Sequence, residues 1–246
     1  MKNLLKLEFR KIKKQKSFYI CTLIMAGLLF LSVSNANELS KSSETAATAA
    51  DIMVNALNSS SFFLIGGIYI VLLVCDDYEQ QTIKNIYARG YSRKQVYLSK
   101  LISSWTAVTI MFIIVMLCAF ALGQSYFKAG DIGSPHFIGI LASQYAACMA
   151  NMCLCFLVSA ILRKNGSSIA AAIVAPMLVN MLLNFIDSHI KFKNFTITEL
   201  WISSFLSELS SLNVTNERLM ICLIASLIYI PFFTLIGIFF HKRIEL

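Results

Sequence analysis

The chain of 246 residues is 57% hydrophobic and only 14% charged, where an ordinary soluble domain carries about 25% charged residues. That balance excludes a soluble globular enzyme and defines an integral membrane protein. The formal net charge of +8 has no soluble basic domain to sit on, so it reads as a topology signal and not as a nucleic-acid surface.

A helix crossing the hydrocarbon core needs about 20 apolar residues. Six runs of that order occur, at Phe18–Ser34, Leu57–Cys75, Leu98–Gly123, Phe137–Leu162, Ser168–Ile186 and Leu219–Phe240. None alternates strongly with period two, which argues for helices over an outer-membrane barrel. The expected fold class is therefore all-α, one polytopic membrane domain over residues 1–246 with six transmembrane helices.

Before the first span, residues 1–16 place Leu5, Phe9 and Ile12 at i, i+4, i+7 with Lys and Arg around them, the pattern of an amphipathic helix lying on the inner leaflet. A competing reading is a signal peptide with a cleavage site at Ser34-Asn35-Ala36, against which the length of the basic region counts. Residues 35–56, rich in Ser, Thr, Ala and Asn, read as a solvated external segment.

The long polar interruption is DDYEQQTIKNIYARGYSRKQVYLSK, residues 76–100. Asp76 or Asp77 can cap a short helix whose apolar face, Ile83, Ile86 and Tyr87, falls at i, i+3, i+4, and Gly90 supplies its stop. Ser92 with Gln95 three residues on is a capping box that starts the next helix. The result is an apolar knob ringed by Lys84, Arg89, Arg93 and Lys94, of a kind that suits a partner's groove.

Mild polarity inside the spans gathers at Gln144, Tyr145 and Asn151 in the fourth and at Asn180 and Asn184 in the fifth. Asn180 and Asn184 share a face at i, i+4, and Gln144 and Asn151 at i, i+7. Hydrogen bonds between helices explain them simply; the sharper alternative is a weakly polar passage for an amphiphile. Residues 163–167 make a tight turn between spans four and five, and Pro176 and Pro231 bend spans five and six. In the external stretch 187–217, Trp201, Phe205, Leu209 and Leu212 recur at helical spacing beside Ile202 and Leu206, with Thr198 and Glu199 to start the helix. Such a helix lies at the interface as an anchor, or else forms a lid over a substrate path. The triplets beginning at Asn194 and Asn213 match the glycosylation pattern, which is common by chance.

Chemistry is conspicuous by what is missing. Charged residues are nearly absent from the span centres, which counts against a transporter driven by protons or sodium and against an intramembrane hydrolase. His136, His189 and His241 are isolated at loop ends, so no metal triad or Ser-His-Asp set is indicated. Cys21, Cys75, Cys118, Cys148, Cys153, Cys155 and Cys222 sit in or beside spans as small packing residues. Cys153 and Cys155, two apart on a helix, point apart and cannot share a metal. No GxxxxGK[ST] loop exists, so any ATP hydrolysis must come from a partner.

Orientation follows from the basic residues. With both termini in the cytoplasm, only Lys41, Lys128, Lys191, Lys193 and Arg218 of the 21 Lys and Arg fall outside, as the positive-inside rule demands.

The opening KNLLKLEFRKIKKQKSFYI and the loop DDYEQQTIKNIYARGYSRKQVYLSKL resemble the permease subunit of bacterial type-2 ABC exporters, in particular the small permeases of lantibiotic immunity and bacitracin resistance. The loop carries the most specific likeness, in Asp76, Asp77, Thr82-Ile83-Lys84, Gly90, Ser92-Arg93 and Lys100. What the resemblance implies is a bacterial cytoplasmic-membrane protein that pairs with an identical or related permease and two copies of an ABC ATPase. ATP and Mg would sit on that ATPase, with no cofactor in this chain. Residues 76–97 would then be the coupling loop. Ile83, Ile86 and Tyr87 would insert into the ATPase, Lys84, Arg89 and Arg93 would meet its acidic rim, and Asp77, Thr82 and Gly90 would belong to the same motif. Gln144, Asn151, Asn180 and Asn184 would line a path for an amphiphilic substrate, an antimicrobial peptide being the expected class. The alternative in another class is a membrane scaffold or sensor that recruits a cytoplasmic protein through the same loop; a membrane-embedded enzyme acting on lipid is the weakest reading.

Overall fold

In a computed structural model, residues 2–42, 48–189 and 197–243 are described. They form ten α-helices: α1 Lys2–Lys14, α2 Lys16–Ser42, α3 Ala49–Ser59, α4 Phe62–Glu79, α5 Thr82–Ala88, α6 Arg93–Tyr126, α7 Pro135–Leu162, α8 Asn165–His189, α9 Ile202–Glu208 and α10 Asn216–Arg243, with a 3₁₀ turn at Ile197–Leu200 before α9. Five helices, α2, α6, α7, α8 and α10, are each long and apolar enough to cross a membrane, and α3 and α4, bent by 42° at the break between them, are so as a pair. The protein is an all-α polytopic membrane protein.

Local signals account for most helix starts. Ser92 and Gln95 form the reciprocal capping box that opens α6, and Ser134 caps α7 with Pro135 in its first turn. Arg163, left-handed at φ 59, ends α7 and leaves a two-residue link to α8. Both α8 and α10 continue through their prolines, Pro176 and Pro231.

At the centre stands α7, packed chiefly against α10 and α4. Its most apolar stretch is 78% buried, against 6% for α8, so α7 is the core helix and α8 presents most of its surface outward. Small residues make this possible: Ser143, Ala146, Ala147, Cys148, Ala150 and Cys153 are all buried on α7 and let neighbouring backbones approach. All seven cysteines are free, and six of them are buried.

Four expectations need correction. Of the expected face of Leu5, Phe9 and Ile12, Ile12 is buried and Phe9 packs half-buried on the core, but Leu4 and Glu8, one position earlier, are the other buried residues of α1. The helix turns its acid inward because a basic partner waits there. Residues 35–56 are not a solvated linker where described: α2 runs on through Asn35 and Ala36 to Ser42, and α3 buries Ala49, Ala50, Ile52, Met53, Val54, Ala56 and Leu57. A capping box of Thr48 and Asp51 starts α3, and Ala49 N–H donates to Lys128 O at 2.8 Å. A Cβ on Gly123 would lie 3.1 Å from that of Ala49, so glycine is what lets α6 approach α3 so closely. Third, Asp76 and Asp77 do not cap α5; they belong to the last turn of α4, and Gln81, left-handed at φ 54, precedes α5.

The fourth correction concerns the stretch before the last span. Thr198 and Glu199 lie in the 3₁₀ turn, and Trp201 takes the position before α9. Trp201, Ile202, Phe205 and Leu209 are buried in the bundle, so α9 is not an anchor lying flat on a membrane surface. Tyr229 donates from its hydroxyl to Leu200 O at 3.1 Å. Tyr229 is about 20 Å along α10 from Asn216 and Arg218, which holds the neighbouring Glu199, about 3 Å, at 1.5 Å per residue, so the 3₁₀ turn is tied to the N-terminal half of that span. Thr198, Glu199 and Leu200 of the turn are half-buried, and Trp201 after them is buried. Gln144 is the staple: its Nε2 donates to Val54 O of α3 and to Leu209 O beyond α9, each at 2.8 Å. Lys191, Lys193 and the Asn194 triplet lie outside the described residues.

Candidate functional site: an acidic junction at the end of α4

Four consecutive polar residues, Asp76 to Glu79, close α4. Because an α-helix turns every 3.6 residues, Asp76, Asp77 and Tyr78 point in different directions, while Asp76 and Glu79, three apart, share the side that meets Asn165. Asp76 accepts from Gln15 Nε2 at 3.3 Å and from Asn165 Nδ2, at the start of α8, at 3.0 Å. Asp77 pairs with Lys11 of α1 and Lys100 of α6, and accepts from Thr82 Oγ1 of α5 at 3.0 Å. The Arg163 guanidinium lies 5.1 Å from the centre of the Tyr78 ring. Glu79 accepts from both the backbone N–H and Nδ2 of Asn165, at 2.7 Å each.

Around Asp77 the charges balance. Two ammonium groups, Lys11 and Lys100, face two carboxylates, Asp77 and Glu8, whose Oε1 is 3.6 Å from Lys100 Nζ. The side chains of Lys100, Asp77 and Glu8 are 5%, 7% and 2% exposed, so this is a buried cluster and not a solvated patch. Buried charges are tolerated when paired in this way. The cluster joins α1, α4, α5 and α6 into one mechanical unit, to which Asn165 and Arg163 attach the α7 to α8 turn.

From this junction α5 projects. Ile83 is only 1% exposed; it plugs α5 into the bundle and does not point outward with Ile86 and Tyr87. Those two are half-buried, while Lys84 and Arg89 are exposed. Burial raises the Tyr87 phenol above its usual value, against the pull of Arg93 and Arg163, so the ring is neutral at physiological pH. Gly90, at φ 84, ends the helix in a conformation that a side chain would strain. Arg93 opens α6, half-buried. Beside α5 runs a groove of about 460 Å³ towards α1, lined by Leu7, Arg10, Lys14, Ile86 and Arg89.

The structure gathers Asp77, Thr82, Ile83, Lys84, Ile86, Tyr87, Arg89, Gly90 and Arg93 at one end of the bundle. It does not bring Gln144, Asn151, Asn180 and Asn184 together. Gln144 is spent on the α3 and α9 staple, and Asn151 lines a pocket between α4, α7 and α8. Asn180 and Asn184 lie on α8, where Asn184 Nδ2 donates to Asn180 O at 3.0 Å and its side chain is exposed. Sequence reasoning missed Glu8, Lys11, Gln15, Arg163 and Asn165. One signal was available: Glu8 is the only acid before Glu38, and an acid isolated in a basic amphipathic helix needs a reason.

A model of the ABC-2 family transporter proteins matches residues 4–187. That span contains α1 from Leu4, the whole junction and the helices α2 to α7, with α8 up to Asp187. No individually curated protein matches the sequence.

Proposed function

Since this chain belongs to the ABC-2 transporter family, we propose that it is the permease of an ATP-driven exporter that protects a bacterium from an amphiphilic peptide, or secretes one. It is a membrane transport subunit and not the ATPase; ATP and Mg sit on the partner, two copies of which serve a pair of like permeases. The observation that carries the reading is the convergence of α1, α4, α5, α6 and the α7 to α8 turn on residues 76–79. A short helix bonded through Thr82 to a junction that ties α1, α4, α6 and α8 together is what a coupling element requires, because a push on α5 then reaches whole spans through that junction. Lys84, Ile86, Tyr87 and Arg89 form the face offered to the ATPase, and Ile83, Thr82 and Asp77 hold α5 to the body behind it. The α5 end faces the cytoplasm, in keeping with its basic residues.

The test is a mild-detergent capture of the tagged protein from its native membrane, followed by mass spectrometry. An ABC ATPase in near-equal amount is expected. Its absence under ATP-trapping conditions would refute the exporter reading and favour a scaffold. Orientation is tested with single cysteines: one at Asp131 should react with an impermeant thiol reagent on whole cells, and one at Ser92 should not.

A further inference from the structure

Away from the junction, α4, α7, α8 and α9 enclose a pocket of about 190 Å³ whose wall is almost wholly apolar, formed by Phe63, Ile68, Pro176, Met177 and Leu206. The exception is Asn151. Its side chain lines the pocket, it is 8% exposed, and it has no hydrogen-bond partner among the described residues. Trp201 and Ser203 also border the pocket, but Trp201 Nε1 and Ser203 Oγ are closed off from it. An unpaired carboxamide in an otherwise apolar pocket is an incomplete site, since buried polar groups are costly unless bonded.

We infer that this pocket binds one apolar side chain of a peptide substrate, with the adjoining peptide unit on Asn151. This rests on the exporter reading and names where that exporter holds its cargo. A carboxamide both donates and accepts, as a peptide unit does, so the two pair reciprocally. Size agrees: a cavity of about 150 Å³ accepts a benzene ring, so this one holds a single branched or aromatic side chain. Depth separates a peptide from a membrane lipid. Asn151 lies about 24 Å along α7 from Pro135 and about 17 Å from Leu162, at 1.5 Å per residue. That is well inside a hydrocarbon core of about 30 Å, where a lipid offers only its tail and leaves Asn151 unpaired. Met177, 68% exposed on α8, stands at the rim, so the pocket opens sideways past α8.

The experiment uses the full chain, with the subunits that co-purify, in phosphatidylcholine vesicles. N-acetyl photo-leucine N-methylamide serves as the peptide probe and a fatty acid with a mid-chain diazirine as the lipid probe. Light should attach the peptide probe within residues 63–68 or at Met177, in competition with N-acetyl leucine N-methylamide. Asn151→Leu keeps the volume and removes the amide, and should cut that label at least about tenfold, the scale of one lost hydrogen bond. Met177→Trp narrows the rim without touching Asn151 and should cut it as well. A label unchanged by both substitutions, or carried equally by the fatty-acid probe, overturns the inference and makes the pocket a lipid crevice. ATPase capture from the same preparation tests the exporter reading separately.

Discussion

Replacing Asp77 by Asn tests whether the junction is a buried ion cluster or an ordinary surface pairing. The substitution keeps the shape and the hydrogen bond from Thr82 while removing one of two negative charges. Lys100, 5% exposed, and Lys11 are then left with Glu8 as the sole counter-charge. Breaking a buried pair by removing one partner costs about 3–5 kcal/mol, a factor of roughly 150 to 5,000 in the folded to unfolded ratio at 1.36 kcal/mol per decade. An exposed pair costs about 0.2–1 kcal/mol. Pulse proteolysis across a denaturant series in detergent measures the difference. Lys100→Met should cost a similar amount, since it leaves Asp77 and Glu8 with Lys11 alone. The double variant removes one charge of each sign and should lose at least about 1.5 kcal/mol less than the sum, within the coupling range of contacting residues. Single losses below about 1 kcal/mol that simply add would refute the buried-cluster argument. Complex yield with the ATPase, measured on the same variants, reports whether α5 stays docked when the cluster is broken.

Gln144→Leu strips the donor from two carbonyls at once and should cost about 2–4 kcal/mol, from about 1–3 kcal/mol per stranded group with partial relaxation; the same proteolysis series reads it. Gly123→Leu drives a side chain into Ala49 and should separate α3 from α6, seen as faster protease cleavage near residue 48. Arg218→Ala releases Glu199 and Glu208 from a half-exposed clasp with contacts of 2.6 and 3.3 Å. It should lower global stability by less than about 1 kcal/mol while raising hydrogen exchange in α9. Lys84→Glu with Arg89→Glu alters only exposed positions of α5. Insertion and melting should be unchanged and ATPase capture reduced, most clearly at low salt, because such charges are screened over about 10 Å at 0.1 M.

Legibility in the sequence followed the range of each interaction. The capping box at Ser92 and Gln95 and the stop at Gly90 were readable because their partners lie within a few residues. The junction was only half readable. Asp77 was singled out, but as part of a docking loop, since nothing local reveals that Lys11, 66 residues away, and Lys100, 23 away, close on it. Ile83 looked like part of an outward knob because helical spacing defines a face without saying which way it points. Gln144 does bond other elements, as the simpler reading had it, but which ones, the carbonyls of Val54 and Leu209, was not legible.

By itself the sequence determined the solvent and the helical class, because backbone hydrogen bonds must close within each apolar segment and about 20 residues reach across the bilayer. The tertiary structure alone decided which polar residues are buried together. It bent the second span at Ser60 and Ser61, folded α9 into the bundle against Tyr229, and turned Glu8 inward to the Lys100 side of the junction. These outcomes depend on pairings between residues far apart in the chain, and such pairings leave no period and no motif in the sequence.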